Sequence, residues 1–398
     1  MTVSSHLCIR SLDVSQASPF LEMAWNKIKA ESPSSDLVLL DQPSAAFSSI
    51  IGAKNIVPAK DGHQSKVYNS LVSWSIPNER TLEDIIMSPE VYTTPGPLNA
   101  VYKLSDKRAT KMLFEKFSLL TPSWEILDRG FTQGNLLRDS TKDNLERNLL
   151  NCLSFPLVVK TLWDCMGHGV EIIRDQHLLT ARLTEDNKNN LLIESFIDGA
   201  LGSIEIIGTP ESYFFQPPCL TGQSGNGVVS NFDTIRICHP HLFHNLLTQK
   251  IKNKLVELLK HLGFQGACCV DFIATHDSLY FLEINPRISG ISCLSSAASG
   301  LNSFEATYLI SANKWPRKEK IAPSNDGAAV QIGGSYADKH LSTLREMHPI
   351  ITIYRNNTIS VDGNQSHNII AGGDYSVIHQ FLLKIGFPNI NSLLDFKK

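Results

Sequence analysis

The chain has 398 residues, 42% of them apolar and 19% charged, with a formal net charge of -3. That length exceeds one small core and fits two or three domains. The slightly acidic balance excludes a general nucleic-acid or anionic-membrane binder, which needs a surplus of Lys and Arg, while leaving room for a local basic nucleotide pocket.

The first stretch, MTVSSHLCIRSLDV, lacks the basic start, long apolar run and small-residue cleavage site of a signal peptide. No window approaches the roughly 18 apolar residues of a membrane span. The cysteines are scattered without a CxxC pair, and adjacent Cys268 and Cys269 read as buried small hydrophobes. A reduced, cytoplasmic protein is expected.

In chain order, ASPFLEMAWNKIKAESP predicts a helix with Phe20, Met23 and Ile28 on one apolar stripe, and DLVLLDQP predicts a buried strand. Together they suggest a small α/β unit, with no GxGxxG after a strand to support a dinucleotide site. SDKRATKMLFEKF, from Ser105, opens as a helix capped by Ser105 or Asp106. FPLVVKTL, GVEIIRD, LLIESFIDG and SIEIIG read as strands, and DCMGHG as a turn. KIKNKLVELLKHLGF is an amphipathic helix ending at Gly263. His239, His241 and His244 invite a zinc reading. Against it, Pro240 predicts the start of a helical stretch, in which the three rings would not be set to share one ion. After Pro316 the tail reads as mixed strand and loop, ending in a helix near 375–385.

The most informative segment is CCVDFIATHDSLYFLEINPR. Residues of one parity share a strand face. A three-residue loop of His276, Asp277 and Ser278 sets Thr275 opposite Leu279, Ile273 opposite Phe281 and Asp271 opposite Glu283. Asn285 and Arg287 continue along the face of Glu283. Two apposed carboxylates repel unless a cation or proton lies between them, and an all-oxygen set suits Mg2+, which completes its shell with phosphate and water. Arg287 adds a fork suited to phosphate or carboxylate. The alternative is an edge hairpin with a wet polar face. Acidic residues are depleted in strands, so their place within apolar runs favours the metal site.

These residues resemble the ATP-grasp superfamily. The resemblance rests on Asp271 and Glu283 in one hairpin, EINPR after it, and SDKRATK, FPLVVK, a Gly-containing turn and LLIESFIDG before it, over roughly residues 100 to 310. It implies an α/β (α+β) ATP-grasp fold: an N-terminal α/β domain (1–105), linker helices and a mobile lid (106–197), and a C-terminal catalytic domain with a β-rich tail (198–398). Lys107 and Lys160 resemble the two phosphate-binding lysines, although each could be a surface lysine. The turn with Gly167, His168 and Gly169 resembles the loop that closes over the triphosphate, with fewer glycines than is usual. Glu194, Ser195, Phe196 and Ile197 resemble the adenine-lining segment. Leu201 stands where a ribose-binding glutamate often follows the Gly turn, and Glu205 is the substitute candidate. Asp271, Glu283 and Asn285 are the implied metal ligands.

The implied cofactors are ATP and Mg2+, with two ions and Mn2+ as a substitute. The implied chemistry is activation of a carboxylate as an acyl phosphate, followed by attack of an amine. Arg287 would steady the acyl phosphate, and Arg236 is a candidate for the γ-phosphate or carboxylate, or else a surface arginine. The small, polar stretches 224–231 and 287–300 favour an amino acid or small peptide as substrate. The partners are then small-molecule carboxylate and amine substrates, without nucleic acid or membrane, and a homodimer is implied by resemblance only. Two rivals stand beside this carboxylate–amine ligase: a bicarbonate-activating, biotin-carboxylase-like enzyme, and a non-catalytic ATP-binding module.

Overall fold

The computed structural model describes residues 6–9, 17, 19–31, 36–39, 56–58, 70–73, 97–127, 153–162, 169–185, 190–225, 234–316, 327–347, 350–361 and 364–387. Three sheets organise them. The first joins β1 (His6–Ile9), β2 (Asp36–Leu39), β3 (Ile56–Pro58) and β4 (Ser70–Ser73), all parallel, in the order β3-β2-β1-β4. Parallel neighbours need a crossover, and helix α1 (Phe20–Glu31) provides the one between β1 and β2. Its buried face is Phe20, Leu21, Ala24, Trp25 and Ile28. Met23 is 50% exposed, which corrects the expected stripe. At 100° per residue Met23 falls outside the arc spanned by those five.

Helices α2 (Leu98–Ser105) and α3 (Lys107–Lys116) are separated by one extended residue, Asp106. Its side chain accepts from the Ala109 amide at 2.9 Å, an N-cap that starts α3 where the sequence suggested. The second sheet is antiparallel, with β5 (Trp124–Leu127), β6 (Leu157–Thr161), β7 (Glu171–Ile173) and β8 (Leu191–Ser195) in the order β5-β8-β6-β7. Helix α4 (Gln176–Glu185) covers it, and together they close a separate core of Leu157, Val159, Ile173, Leu179, Leu183, Leu191 and Ile193.

The third sheet holds nine strands. These are β9 (Ala200–Thr209), β10 (Ser212–Phe215), β11 (Cys219–Gln223), β12 (Ile235–Cys238), β13 (Gly266–Ala274), β14 (Leu279–Asn285), β15 (Gly327–Gly333), β16 (Thr352–Val361) and β17 (Asn364–Asp374). The order is β14-β13-β9-β11-β12-β15-β17-β16, with β10 also on β9. The strands after Pro316 therefore extend the sheet that carries the acidic hairpin. One face, through Ile204, Ile206, Val270 and Ile332, packs on α3, on α5 (Gln249–His261), and on two later helices, α8 (Ser335–Glu346) and α9 (Tyr375–Lys384). The other face, through Ile207, Cys238, Ala329 and Ile370, packs on α1, α6 (Ser292–Ser299) and α7 (Ser303–Ser311). With both faces covered, β9 is buried along most of its length, so the alternation in SIEIIG separates two buried faces, not a buried one from a wet one. Gly202 is needed for this closeness: a Cβ there would stand 2.3 Å from the Phe272 ring.

Among the described residues, no helix is long and apolar enough to cross a membrane. The segment after His239 forms turns, not the expected helix. There the buried His239 ring accepts from the His241 amide at 3.1 Å and packs against Tyr375, with centroids 4.7 Å apart. Burial first, and then His241, pushes its pKa down to about 4, so it is a neutral core histidine at pH 7.

Candidate active site

The acidic hairpin of β13 and β14 does pair Asp271 with Glu283, but by a different route from the expected one. The loop has four residues, because Ala274 and not Thr275 faces Leu279. Thr275 closes this turn, its amide donating to the Ser278 carbonyl at 2.9 Å and its hydroxyl to Asp277 at 3.1 Å. Phe272 then faces Phe281, and Leu282 is an extra residue in β14, a bulge that restores the pairing at Asp271.

The amide of Asn285 holds the two carboxylates, its Nδ2 donating to Asp271 Oδ2 and to Glu283 Oε1, each at 3.0 Å. The Asn285 Oδ1 accepts from Arg287 Nη2 at 3.3 Å. Asn285 thus turns its nitrogen, not its oxygen, to the carboxylates; an amide flip would present the oxygen. Lys107 approaches Glu283 Oε2 at 3.9 Å. Burial raises the Asp271 carboxyl to about 6, with the Glu283 charge adding to it. Burial also acts on Glu283, but there Lys107 and Lys160 outweigh it and hold the carboxyl below its usual range.

Next to this pair lies a buried triad. Both lysines of the triad, Lys111 on α3 and Lys160 on β6, ion-pair with Glu194 on β8. Lys160 stands opposite Leu192, two residues from Glu194, so the two long side chains meet diagonally on one face. Lys111 is 0% exposed and also donates to Thr121 Oγ1 at 2.7 Å and to the Phe281 carbonyl at 3.3 Å. It ties the second sheet to the hairpin. Sequence reasoning does not single out Lys111; its signal is its place four residues after Lys107, on the same helical face. Glu194 is wholly buried, and burial works to raise its carboxyl, yet Lys111 and Lys160 prevail and lower it.

The other expected site residues fall into three groups. Ser195, Phe196 and Ile197 are half-buried beside Glu194, with the Ser195 and Phe196 amides bonded to the carbonyls of Ser123 and Pro156. Gly169 has φ 65°, which suits a glycine, whereas Gly167 and His168 lie outside the described residues. Glu205 is a correction. It is 0% exposed and caged by the hydroxyls of Ser292, Ser295 and Ser303, so neither oxygen is available to a ribose. The reason is parity: Glu205 points under α6 and α7, whose serines are spaced to receive it. Glu205→Ala should therefore cost roughly 2–4 kcal/mol in urea unfolding, by emptying a buried network, and leave ADP affinity unchanged. A tenfold loss of ADP binding would restore the ribose assignment.

Arg236 on β12 stands beneath the loop that follows Arg287: a Cβ on Gly290 would be 3.7 Å from its Nη1. Burial depresses its guanidinium pKa, and the charge of Asp271 acts against that. Lys107 from α3, Lys160 from β6, two carboxylates and an amide from the hairpin, and two arginines thus lie close enough to act on one another's charge.

Residues 104–291 match the family model described as an ATP-grasp domain. The chain is 25% identical over 239 residues to a carbamoyl-phosphate synthase of Methanobrevibacter smithii, covering 60% of each. It thus spans about three-fifths of that relative's length. Three solved structures share the fold. An N5-carboxyaminoimidazole ribonucleotide synthetase in complex with ADP aligns with TM-score 0.71 at 14% identity, over 99% of this chain and 98% of that one. An L-amino acid ligase from Bacillus licheniformis gives 0.65 at 14%, over 96% and 97%. The biotin carboxylase domain of a Hydrogenobacter thermophilus carboxylase, bound to MgADP and bicarbonate, gives 0.65 at 14%, over 92% and 85%.

Proposed function

From the match of residues 104–291 to an ATP-grasp domain we propose an ATP- and Mg2+-dependent ligase that joins a substrate carboxylate to the amine of an amino acid or small peptide. The observation that carries the proposal is the meeting of Asp271 and Glu283 with the charges of Lys107, Lys160 and Arg287. A carboxylate pair that raises one member to about 6 is a site that a divalent cation relieves. Asp271 and Glu283, with Asn285 after an amide flip, would hold Mg2+, which when bound would neutralise phosphate charge.

The remaining roles follow from charge and position. Lys107 and Lys160 hold the triphosphate. The half-buried segment from Ser195 to Ile197 lines the adenine, while Glu194, buried behind it with both oxygens on Lys111 and Lys160, does not reach the base. Arg287 and Arg236 orient the reacting carboxylate. A substrate carboxylate oxygen bonds to the γ-phosphorus and ADP leaves. The amine nitrogen then bonds to the acyl carbon, losing a proton as phosphate departs. This route needs no covalent nucleophile from the chain, which positions the reactants and stabilises charge. Beyond Arg287 the loop to Ile291 carries no further charge, which supports an amino-acid-sized substrate over a polyanion, whereas the α6 serines that follow are buried and two of them hold Glu205.

Incubation of the protein with ATP, Mg2+ and pairs of amino acids tests this: phosphate should appear only with a matching pair. Release by bicarbonate alone would move the chain to the carboxylase-like reading.

The metal assignment has its own test. Asp271 must be ionised to hold a cation, so Mg2+ affinity should fall roughly tenfold per unit below about pH 6, by titration calorimetry. Without metal the sign reverses. The folded state keeps the Asp271 proton longer than the unfolded chain, so stability declines as pH rises through that value. Mg2+ affinity that stayed flat from about pH 5 to 7.5 would rule Asp271 out as a ligand.

A further inference from the structure

The sheet face that carries Asp271 continues, three strands away, into a polar floor of which only Arg236 figures in the site above. Arg236 on β12 pairs in register with Gln331 on β15, Gln331 with Ile370 on β17, and Ile370 with Arg355 on β16. In the next row of this face Gly333 pairs with Asn368, and Asn368 with Asn357. Directly paired residues share a face, and Cys238, Ala329 and Ile370 mark this one as the face under α6. Gln331 and Asn368 are thus diagonal neighbours. A bulge between Ile353 and Arg355 sets Arg355 beside them.

Cover over this face changes along its length. Where α6 lies on it there is no room: a Cβ on Gly372 would stand 3.0 Å from the Ala297 carbonyl oxygen. Above Arg236 the cover is instead the loop from Arg287 to Ile291, the segment that links the metal-binding candidates to α6.

The amides of this floor are anomalous. Asn368 is 0% exposed, and neither its Oδ1 nor its Nδ2 has a hydrogen-bond partner among the described residues. Gln331 is 3% exposed, and its Oε1 has none either. A buried polar group left unpaired costs roughly 1–3 kcal/mol, and native structures hold few of them. Three such atoms on neighbouring strands, beside two arginines, form a row of polar groups that a polar ligand would complete.

The geometry points to a subsite for the amine substrate, with Gln331 and Asn368 as its specificity-determining residues and an α-amino acid as its ligand. The two amide oxygens accept N–H groups, Asn368 Nδ2 donates, and the guanidinium groups of Arg236 and Arg355 match a carboxylate. An amine that gives two N–H groups to two carbonyl oxygens keeps its lone pair directed elsewhere, as attack on an acyl carbon requires. This inference rests on the ligase reading and deepens it by naming the residues that choose the amine.

The test is a thermal-shift comparison of the wild type with Gln331→Met/Asn368→Leu. Each protein is first given Mg–ADP, then each proteinogenic L-amino acid at about 10 mM. At least one amino acid should stabilise the wild type, with apparent affinity reduced tenfold or more in the variant and an unchanged response to Mg–ADP. The unliganded variant should melt no lower than the wild type, because apolar side chains replace unpaired amides. If the double variant fails to fold, Gln331→Met alone supplies the same readout. The subsite is overturned if an amino acid stabilises both proteins alike, or if none acts on a wild type that does respond to Mg–ADP. A wild type that ignores Mg–ADP overturns the ATP reading beneath it.

Discussion

Glu283→Gln is expected to leave the fold intact and to lower ATP turnover at least about a thousandfold. The side chain keeps its size, and its Oε1 still accepts from Asn285 Nδ2. What disappears is a charge that Lys107 and Lys160 hold ionised against burial. The change also removes the repulsion that Glu283 exerts on Asp271, so the Asp271 carboxyl should relax from about 6 toward its ordinary range. Stability without metal should therefore hold or rise while activity collapses, a combination that general damage to the fold does not produce. Phosphate release and urea unfolding, measured on one preparation, separate the two effects. Turnover within tenfold of wild type would remove the hairpin carboxylates from the chemistry.

The acidic pair was legible in the sequence because strand parity is robust, and yet the path to it was not. A loop of three residues and a loop of four followed by a bulge bring Asp271 and Glu283 together equally well, and the sequence pattern does not distinguish them. Asp106 could be read as a cap because capping is local: its partner is three residues away. Lys111 could not, since in a helix rich in Lys and Arg it looks like any solvated cation until Glu194 arrives from β8. Glu205 misleads for the converse reason. Its neighbours in sequence fit a nucleotide strand, while the serines that engage it lie about ninety residues on. Gln331 is a single polar residue inside an apolar run and Asn368 ends a polar one, and only the register of β15 and β17 makes them neighbours. Local signals gave caps, periods and turns; what two distant segments do to each other's charge had to come from the fold.

The second large effect is expected at that distant meeting. Glu194→Leu should lower the unfolding free energy by about 3–5 kcal/mol, the cost of leaving buried charge without its partner. Lys111 is 0% exposed and Lys160 is 8% exposed, so neither ammonium can readily move into water. Burial already depresses Lys111 to about 8, with Glu194 the main opposing influence, so its charge at pH 7 depends on that carboxylate. A lysine whose folded pKa lies below its unfolded value binds more protons when unfolded, so its contribution to stability improves as pH rises through that interval. In the wild type this interval runs from about 8 to 10.5. In Glu194→Leu its lower end should move down past neutrality, and the variant should regain stability between about pH 6 and 8 where the wild type does not. Lys111→Met in the Glu194→Leu background should recover part of the loss, because an apolar pair of similar volume carries no desolvation penalty. The double-mutant cycle then reads the coupling directly. A loss below about 1 kcal/mol with no change in pH profile would mean that Glu194 carries little of the charge balance in this core, and that Lys111 and Lys160 are neutralised elsewhere.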